Sequence, residues 1–327
     1  MKETNVDLKS KTYETINCII CDRQTKTRRL AHKGLFGWPT YVTACTECGL
    51  VYLSPRWTKA DYDHFYTKEY EGHFWFDKEA VDEKEQRRIQ DVWARLQAHI
   101  PGTPKAALDV GCGLGWSLDY LAKQIGGLQI AGLEPSDYCA EHVVNVVGAE
   151  LVGRDVDSDW HTAQKDRFDI VIMRMVAEHL LYPLDAFKKV RQTLSPGGLF
   201  YIAVPNMMQP AGSLKDFWFR IVHTYYYSKT TLMRIAGKAG LAAVVVEEEG
   251  PELWGIFRRK DDFADPLSGS VFPQQIRVLR RYKTQRALRA AIRLLAPRKL
   301  SRLVPGKVKA LIPESWKKRF RKMVYRH

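Results

Sequence analysis

The sequence contains no apolar run approaching the roughly 18 residues needed to cross a bilayer; the best is the short stretch Leu241 to Val246. Its first residues, MKETNVDLKSK, have no apolar centre of the kind a secretory leader carries. A membrane span and a cleaved leader are therefore both excluded from the expectation, and the default address is the cytoplasm. Cysteine is scarce as well: six thiols in 327 residues cannot make a disulfide framework. There is no internal repeat, which excludes solenoids and propellers. Acidic residues are almost missing from one region. From Arg258 to His327 there are 21 Lys/Arg and 4 Asp/Glu, a local balance of +17. The whole chain carries +14, so everything before Arg258 sums to −3.

What is present fits a globular protein. With 45% hydrophobic and 27% charged residues, the chain can bury a sizeable core. The charge distribution gives a nearly neutral body and a basic tail, suited to lipid headgroups, nucleic acid or an acidic partner. A solvated basic helix that aids solubility is the plainer reading of such a run.

Four regions follow one another. Residues 1–55 hold the paired cysteines and several short β-like stretches. Residues 56–104 form an aromatic-rich helical linker or cap, with Tyr62, Phe65, Tyr66, Tyr70, Phe74, Trp75 and Phe76. An amphipathic helix there places Ile89, Val92, Trp93 and Leu96 on one face. Pro101-Gly102-Thr103-Pro104 breaks the chain. Residues 105–259 then alternate strand and helix: AALDVG, a helix through Leu118 and Leu121, QIAGLEP, FDIVIMRMV, a helix through Phe187 and Val190, and GLFYIAVPN after a turn at Ser195–Gly198. Helices near 214–222 and 229–239 precede two closing strands, LAAVVVEEE and LWGIFRR. This alternation predicts a doubly wound α/β sheet, mostly parallel and covered on both faces. Residues 260–327 form the basic helical tail.

Asp109-Val110-Gly111-Cys112-Gly113-Leu114-Gly115 follows a strand and opens a helix. Glycines let the backbone turn tightly and approach a ligand closely, and a helix start offers unpaired N–H groups. Glu134 ends the next strand, where a carboxylate can accept both hydroxyls of a ribose. A dinucleotide site would share these features. It also needs a small residue at the sixth loop position, where this chain has Trp116. Asp109 beside the loop would repel phosphates but can hold an ammonium. A sulfonium nucleoside with an amino-acid end suits the pocket better than NAD.

On ALDVGCGLGWSLDYLA, GLEPS, FDIVIMRMVAEHLLYP and LSPGGLFYIAVPN, in that order, residues 105–259 resemble the class I S-adenosylmethionine-dependent methyltransferases. The resemblance implies their Rossmann-like seven-stranded sheet. It implies that Gly111, Gly113 and Gly115 line the methionine part of the cofactor, that Glu134 holds the ribose, and that Asp155 contacts the adenine amine, with Asp157 as the alternative. One departure is Arg174-Met175, where relatives often carry an acidic or small residue.

Cys18, Cys21, Cys45 and Cys48 make two Cys-x-x-Cys pairs with 23 residues between them. Four soft thiolates at this spacing point to one structural zinc in a small ribbon-like module, since four ligands leave no open position for catalysis. A redox pair is the competing reading, but duplication argues against it. CTECGLVYLSPR and the aromatics after it look like the N-terminal zinc-bearing region of bacterial methyltransferases of sugar and surface-polysaccharide pathways.

Methyl transfer needs an aligned acceptor and, for a hydroxyl, a base. His179, after the strand FDIVIMRMV, and His223, in HTYYYS, both fall where such a base belongs, and either is the expected catalytic residue. Tyr225, Tyr226 and Tyr227 offer stacking surfaces, and Asn206 either bonds ligand or caps a turn. The expected function is O-methylation of a sugar or glycan-related acceptor in cell-surface carbohydrate synthesis. The tail, with Ile276, Leu279, Leu288, Ile292 and Leu295 among its arginines and Trp316 and Phe320 beyond, would hold the enzyme at the anionic inner face of the membrane. An RNA methyltransferase ranks second, because no RNA-binding motif is present. An inactive adaptor ranks third, because Asp109, the glycines and Glu134 are all retained.

Overall fold

The computed structural model describes residues 6–69, 83–260 and 269–295. Thirteen strands are present among them: β1 (Tyr13–Glu14), β2 (Thr27–Lys33), β3 (Pro39–Cys45), β4 (Val51–Leu53), β5 (Arg56–Trp57), β6 (Ala106–Val110), β7 (Gln129–Leu133), β8 (Glu150–Gly153), β9 (Phe168–Arg174), β10 (Leu194–Pro205), β11 (Tyr225–Tyr226), β12 (Leu241–Glu249) and β13 (Glu252–Arg259). The helices are α1 (Lys59–Lys68), α2 (Glu83–Gln97), α3 (Trp116–Gln124), α4 (Asp137–His142), α5 (Pro183–Thr193), α6 (Lys229–Lys238) and α7 (Phe272–Leu295). The expected aromatics from Tyr70 to Phe76, and everything after Leu295, lie outside the described residues.

The main sheet has seven strands in the order β12-β13-β10-β9-β6-β7-β8. β10, β9, β6, β7 and β8 run parallel, and β13 and β12 close the edge antiparallel. This is the mostly parallel α/β sheet that the alternation of strand and helix predicts. Period-two burial divides its residues between two layers. Leu108, Val171, Phe200 and Ile202 pack with Phe187 and Val190 of α5 and Leu232 and Ile235 of α6. Ala107, Ile170, Ile172 and Tyr201 pack with Val92 and Leu96 of α2 and Leu121 of α3. Both faces are covered, which is why the central strands are apolar over most of their length.

Two local expectations differ. Ser195–Gly198 belongs to β10 itself, where the register with β9 slips between Leu194 and Leu199 instead of turning. The segment near 214–222 holds only a π-helical turn, Leu214–Trp218, started by Ser213 accepting from the Asp216 N–H.

A second sheet, in the order β11-β4-β3-β2, carries the cysteine module. Its edge strand β11 comes from the segment after β10, with Tyr225 opposite Tyr52 and Tyr226 opposite Val51. The core continues across the join: Cys18, Cys45, Cys48, Leu50, Tyr52, Tyr225 and Tyr227 belong to the same buried cluster as one face of the main sheet. Residues up to Gln275 form one compact unit. From Ile276 a second unit begins; its described part continues α7, exposes Arg277, Arg280, Arg281, Lys283, Arg286 and Arg289, and contains no acidic residue. No helix among the described residues is long and apolar enough to cross a membrane.

Candidate active site

The loop between β6 and α3 is built by backbone bonding to the neighbouring strand. The N–H groups of Gly111 and Cys112 both donate to the Leu133 carbonyl, at 2.7 and 3.2 Å. Gly111 has φ +72°, and a Cβ there would lie 2.5 Å from Cγ2 of Val176, so only glycine allows the loop to close on the segment after β9. Gly113 has φ +55° and a different reason to be glycine. A Cβ there meets no protein atom within 4 Å; the space it faces is open to a ligand.

Glu134, just past β7, is buried, and each of its oxygens takes one backbone donor: Oε2 from Gly113 at 2.8 Å and Oε1 from Ser136 at 3.0 Å. Those bonds fix the carboxylate and leave lone pairs for ribose hydroxyls. Burial raises its pKa, offset by the two backbone donors and by Arg154. Asp109, at the end of β6, is also buried, and none of the hydrogen bonds among the described residues ends on its side chain. Burial pushes its pKa well above the ordinary carboxylate value, and Glu134 pushes it further. A buried carboxylate without a donor is costly unless a cation meets it. An amino-acid ammonium is such a cation. The donor set and the open space at Gly113 therefore fit the sulfonium nucleoside expected from the sequence.

Beyond β8, Asp155 is half-exposed and accepts from the Asp157 N–H at 2.9 Å. Lys59 of α1 approaches both acids, 3.7 Å from Asp155 and 3.8 Å from Asp157. Lys189 of α5 donates to the carbonyls of Val156, Asp157 and Ser158 at 3.1, 2.6 and 2.9 Å. Two lysines thus clamp this loop. The sequence reading found the acids and missed the clamp, because Lys59 and Lys189 are distant in the chain.

After β9 the chain turns at Met175, a non-glycine residue at φ +55° whose N–H donates to the Ala203 carbonyl at 2.7 Å. Arg174, the departure noted above, forms an ion pair with Glu85 of α2. His179 and His223 come together: their rings stand 4.8 Å apart and perpendicular. The Tyr66 hydroxyl lies 3.2 Å from Nδ1 of His179, and His179 Nε2 lies 3.9 Å from Oε1 of Glu178. Desolvation lowers the His179 pKa to about 4, helped by Arg220; that of His223 is lowered by desolvation, His179 and Arg220. Both shifts favour the neutral imidazole, whose unprotonated nitrogen can accept a hydrogen bond or bind a cation. Glu178 is buried, with Oε2 lacking any hydrogen-bond partner, and desolvation pushes its pKa to about 8. Tyr66 was legible only as one aromatic among several, although Tyr62 and Tyr66 stack one helical turn apart on α1.

The three tyrosines after His223 do not offer a stacking surface. All are buried, and their hydroxyls serve the backbone: Tyr225 donates to Leu181 at 3.5 Å, Tyr226 to Arg220 at 3.2 Å and Tyr227 to Ala177 at 3.0 Å. Thr224 donates to the carbonyls of Glu178 and Leu180, and the Tyr225 N–H donates to Glu178. These bonds hold His223 against the segment that carries His179. Asn206 caps a turn, accepting from Met208 at 2.9 Å and donating to Gly250 at 3.2 Å.

The four module cysteines gather as their spacing implies. All are free thiols, with sulfurs within 4.8 Å of one another, Cys18 to Cys48 at 3.4 Å and Cys21 to Cys45 at 3.8 Å. Zn–S bonds of about 2.3 Å place tetrahedral sulfurs about 3.8 Å apart, so the cluster fits one zinc.

The methyltransferase domain family model matches residues 81–246. A tRNA U34 carboxymethyltransferase of Desulfotalea psychrophila is 26% identical over 203 residues, covering 57% of this chain and 63% of that protein. A ubiquinone biosynthesis O-methyltransferase of Cereibacter sphaeroides is 31% identical over 117 residues, covering 34% of this chain and 45% of that protein. The match thus spans less than two thirds of either curated relative. Among solved structures, a protein of Pyrococcus horikoshii covers 59% of this chain and 99% of its own, with 20% identity and a TM-score of 0.48.

Proposed function

The chain belongs to the methyltransferase domain family, and on that premise we propose that it transfers the methyl group of S-adenosylmethionine to a hydroxyl of a sugar or glycan-related acceptor in cell-surface carbohydrate biosynthesis. The observation that carries the reading is the contact between Gly111 and Val176. It brings the cofactor loop against the segment that presents His179 and against which His223 is held. When bound, the cofactor supplies an electrophilic methyl on a sulfonium. Asp109 would hold its ammonium, Glu134 its ribose, Gly111, Gly113 and Gly115 its methionine chain, and Asp155 its adenine. The two neutral histidines then assist loss of the acceptor's proton.

Cys18, Cys21, Cys45 and Cys48 would hold one structural zinc. The sugar-pathway reading draws on the likeness of CTECGLVYLSPR to zinc-bearing regions of such enzymes. On the same reading the enzyme works in the cytoplasm, with the cationic face of α7 against anionic lipid headgroups at the inner membrane face. Sedimentation with phosphatidylglycerol vesicles, with and without residues 276–327, tests the last point; equal binding by both chains would count against it.

The relative named a tRNA U34 carboxymethyltransferase favours a second reading, in which RNA is the acceptor and α7 contacts its phosphates. Two measurements separate these readings. Calorimetric titration with S-adenosylmethionine comes first, and absence of binding would sink both. Release of S-adenosylhomocysteine is then followed with nucleotide sugars and with bulk tRNA. Turnover on tRNA alone overturns the carbohydrate reading. His179→Ala and His223→Ala are each expected to lower the rate about 100-fold; full rates in both would remove the histidines from the chemistry.

A further inference from the structure

We propose that Glu178, His179 and His223 bind a divalent cation of the zinc or manganese type, which holds the oxygen of the acceptor. This rests on the reading that the acceptor meets the cofactor beside these histidines, and it replaces direct proton removal by an imidazole with a cation that acidifies the hydroxyl.

Each of the three side chains offers a ligand atom, and these atoms lie within 4.8 Å of one another. Metal–ligand bonds of about 2.1 Å place tetrahedral ligand atoms about 3.4 Å apart, so small side-chain rotations close the set. Two imidazoles and a carboxylate are a donor set for zinc, manganese or iron, not for an alkali ion. The carboxylate supplies the independent sign. Glu178 is only 2% exposed, yet its Oε2 has no hydrogen-bond partner. A buried carboxylate oxygen in that state lacks a partner that a cation would supply.

The histidines are arranged for ligation. His179 Nδ1 faces the Tyr66 hydroxyl at 3.2 Å, while Nε2 faces Glu178. His179 also bonds the Val222 backbone; with its proton on Nδ1, the Nε2 lone pair is left for the cation, and Tyr66 and Val222 orient the ring as outer partners of metal-bound histidines do. Thr224 and Tyr225 hold the Glu178 backbone and so hold His223 in reach of it. Arg174 and Arg220 both favour the Glu178 anion electrostatically, but neither hydrogen-bonds its Oε2. Arg174 pairs with Glu85, and Arg220 donates from Nε to the Phe217 carbonyl at 3.0 Å with its guanidinium over the Phe217 ring.

Three protein ligands leave at least one position open, the arrangement of a catalytic and not a structural site. An acceptor hydroxyl would enter that position, and a second oxygen on the adjacent carbon would chelate. The acceptor class is therefore a vicinal diol or catechol-like pair. On binding, the hydroxyl releases its proton to water. Its oxygen then forms a bond to the methyl carbon, the carbon–sulfur bond breaks, and that electron pair stays on sulfur as a neutral thioether.

The test uses the full chain with its cysteine cluster loaded with zinc, and Mn²⁺ as the probe, because manganese prefers nitrogen and oxygen over thiolates. Titration followed by electron paramagnetic resonance is expected to show one Mn²⁺ per chain. Glu178→Gln and His223→Gln should each weaken it about tenfold or more, with melting curves and S-adenosylmethionine binding confirming the fold. No bound Mn²⁺ or second zinc in the unsubstituted chain overturns the cation, needing no variant. If turnover still falls in the histidine variants, direct base action stands instead. Mn²⁺ binding without S-adenosylmethionine binding would keep this site and sink the methyltransferase reading.

Discussion

Asp109 and Glu134 stand at the ends of neighbouring parallel strands and present two buried carboxylates to one glycine loop, and Glu134 raises the cost of ionising Asp109. Asp109 lies in β6, opposite Gly132 of β7, and Glu134 adds to the rise in its pKa. The pair favours a cationic ligand at this loop.

S-adenosylmethionine binding should therefore be linked to proton release. Without ligand, Asp109 favours its neutral form; against an ammonium it favours the anion. Affinity tightens as pH rises through the raised pKa of Asp109, and calorimetry in buffers of different ionisation heat reads the released proton. The sign for stability is opposite. A carboxyl whose folded pKa is raised contributes stability that is present below its ordinary value of 3.8 and is lost as pH rises through the folded value. Asp109→Asn should weaken the cofactor about 10- to 100-fold and remove the pH dependence. A flat pH profile in the unsubstituted chain would contradict this.

Two glycines of the same loop should respond differently to alanine. Gly111→Ala adds a clash with Val176 to the strain of positive φ, and should cost about 2–3 kcal/mol of stability. Gly113→Ala adds only the strain, about 1 kcal/mol, but places a methyl in the open ligand space. Melting temperature should fall more in the first. At Gly113, loss of cofactor affinity should exceed loss of stability.

Cys45→Ser should release the module's metal and lower the melting temperature, since a structural zinc contributes folding energy directly. Strand β4 follows the cluster and pairs with β11, two residues after His223. Turnover should therefore drop further than S-adenosylmethionine affinity, whose loop rests on β6 and β7. Metal analysis and paired kinetic and binding assays check it; equal losses would mean the module supports both halves of the site alike.

Arg95 joins α2 to the antiparallel edge of the main sheet. It donates to Tyr201 at 2.7 Å and Glu252 at 2.8 Å, and lies over the Trp254 ring at 4.7 Å. Its third partner, Glu249, is half-exposed and adds little. Arg95→Ala should cost about 2 kcal/mol in urea unfolding, and Arg95→Lys should recover only part, because an ammonium does not reproduce the planar guanidinium over the Trp254 ring.

The seven-stranded sheet was readable because its strands are apolar runs and its helices carry stripes, both short-range patterns. The glycine loop was readable for the same reason. What escaped depends on partners distant in the chain. Tyr225 and Tyr226 look like ligand-stacking rings until their pairing with Tyr52 and Val51 is known. Glu178 reads as one more carboxylate beside His179, and only its burial without a partner sets it apart. The segment near 214–222 shows helical spacing, yet it folds as one π-helical turn followed by extended backbone at Phe219.

The strand β11 also bears on how such a protein can be taken apart. The module's sheet is completed by residues that follow the nucleotide-binding half, so the two lobes are interlaced in chain order instead of strung in tandem. A gene shortened to begin at residue 83 would strip β11 of its neighbour and expose the aromatic faces of Tyr225 and Tyr227. Grafting the cysteine lobe onto another methyltransferase would fail unless the recipient also received residues 223–228. Inheritance of the two pieces would have to be joint, and a shuffled fragment carrying one alone would be expected to aggregate.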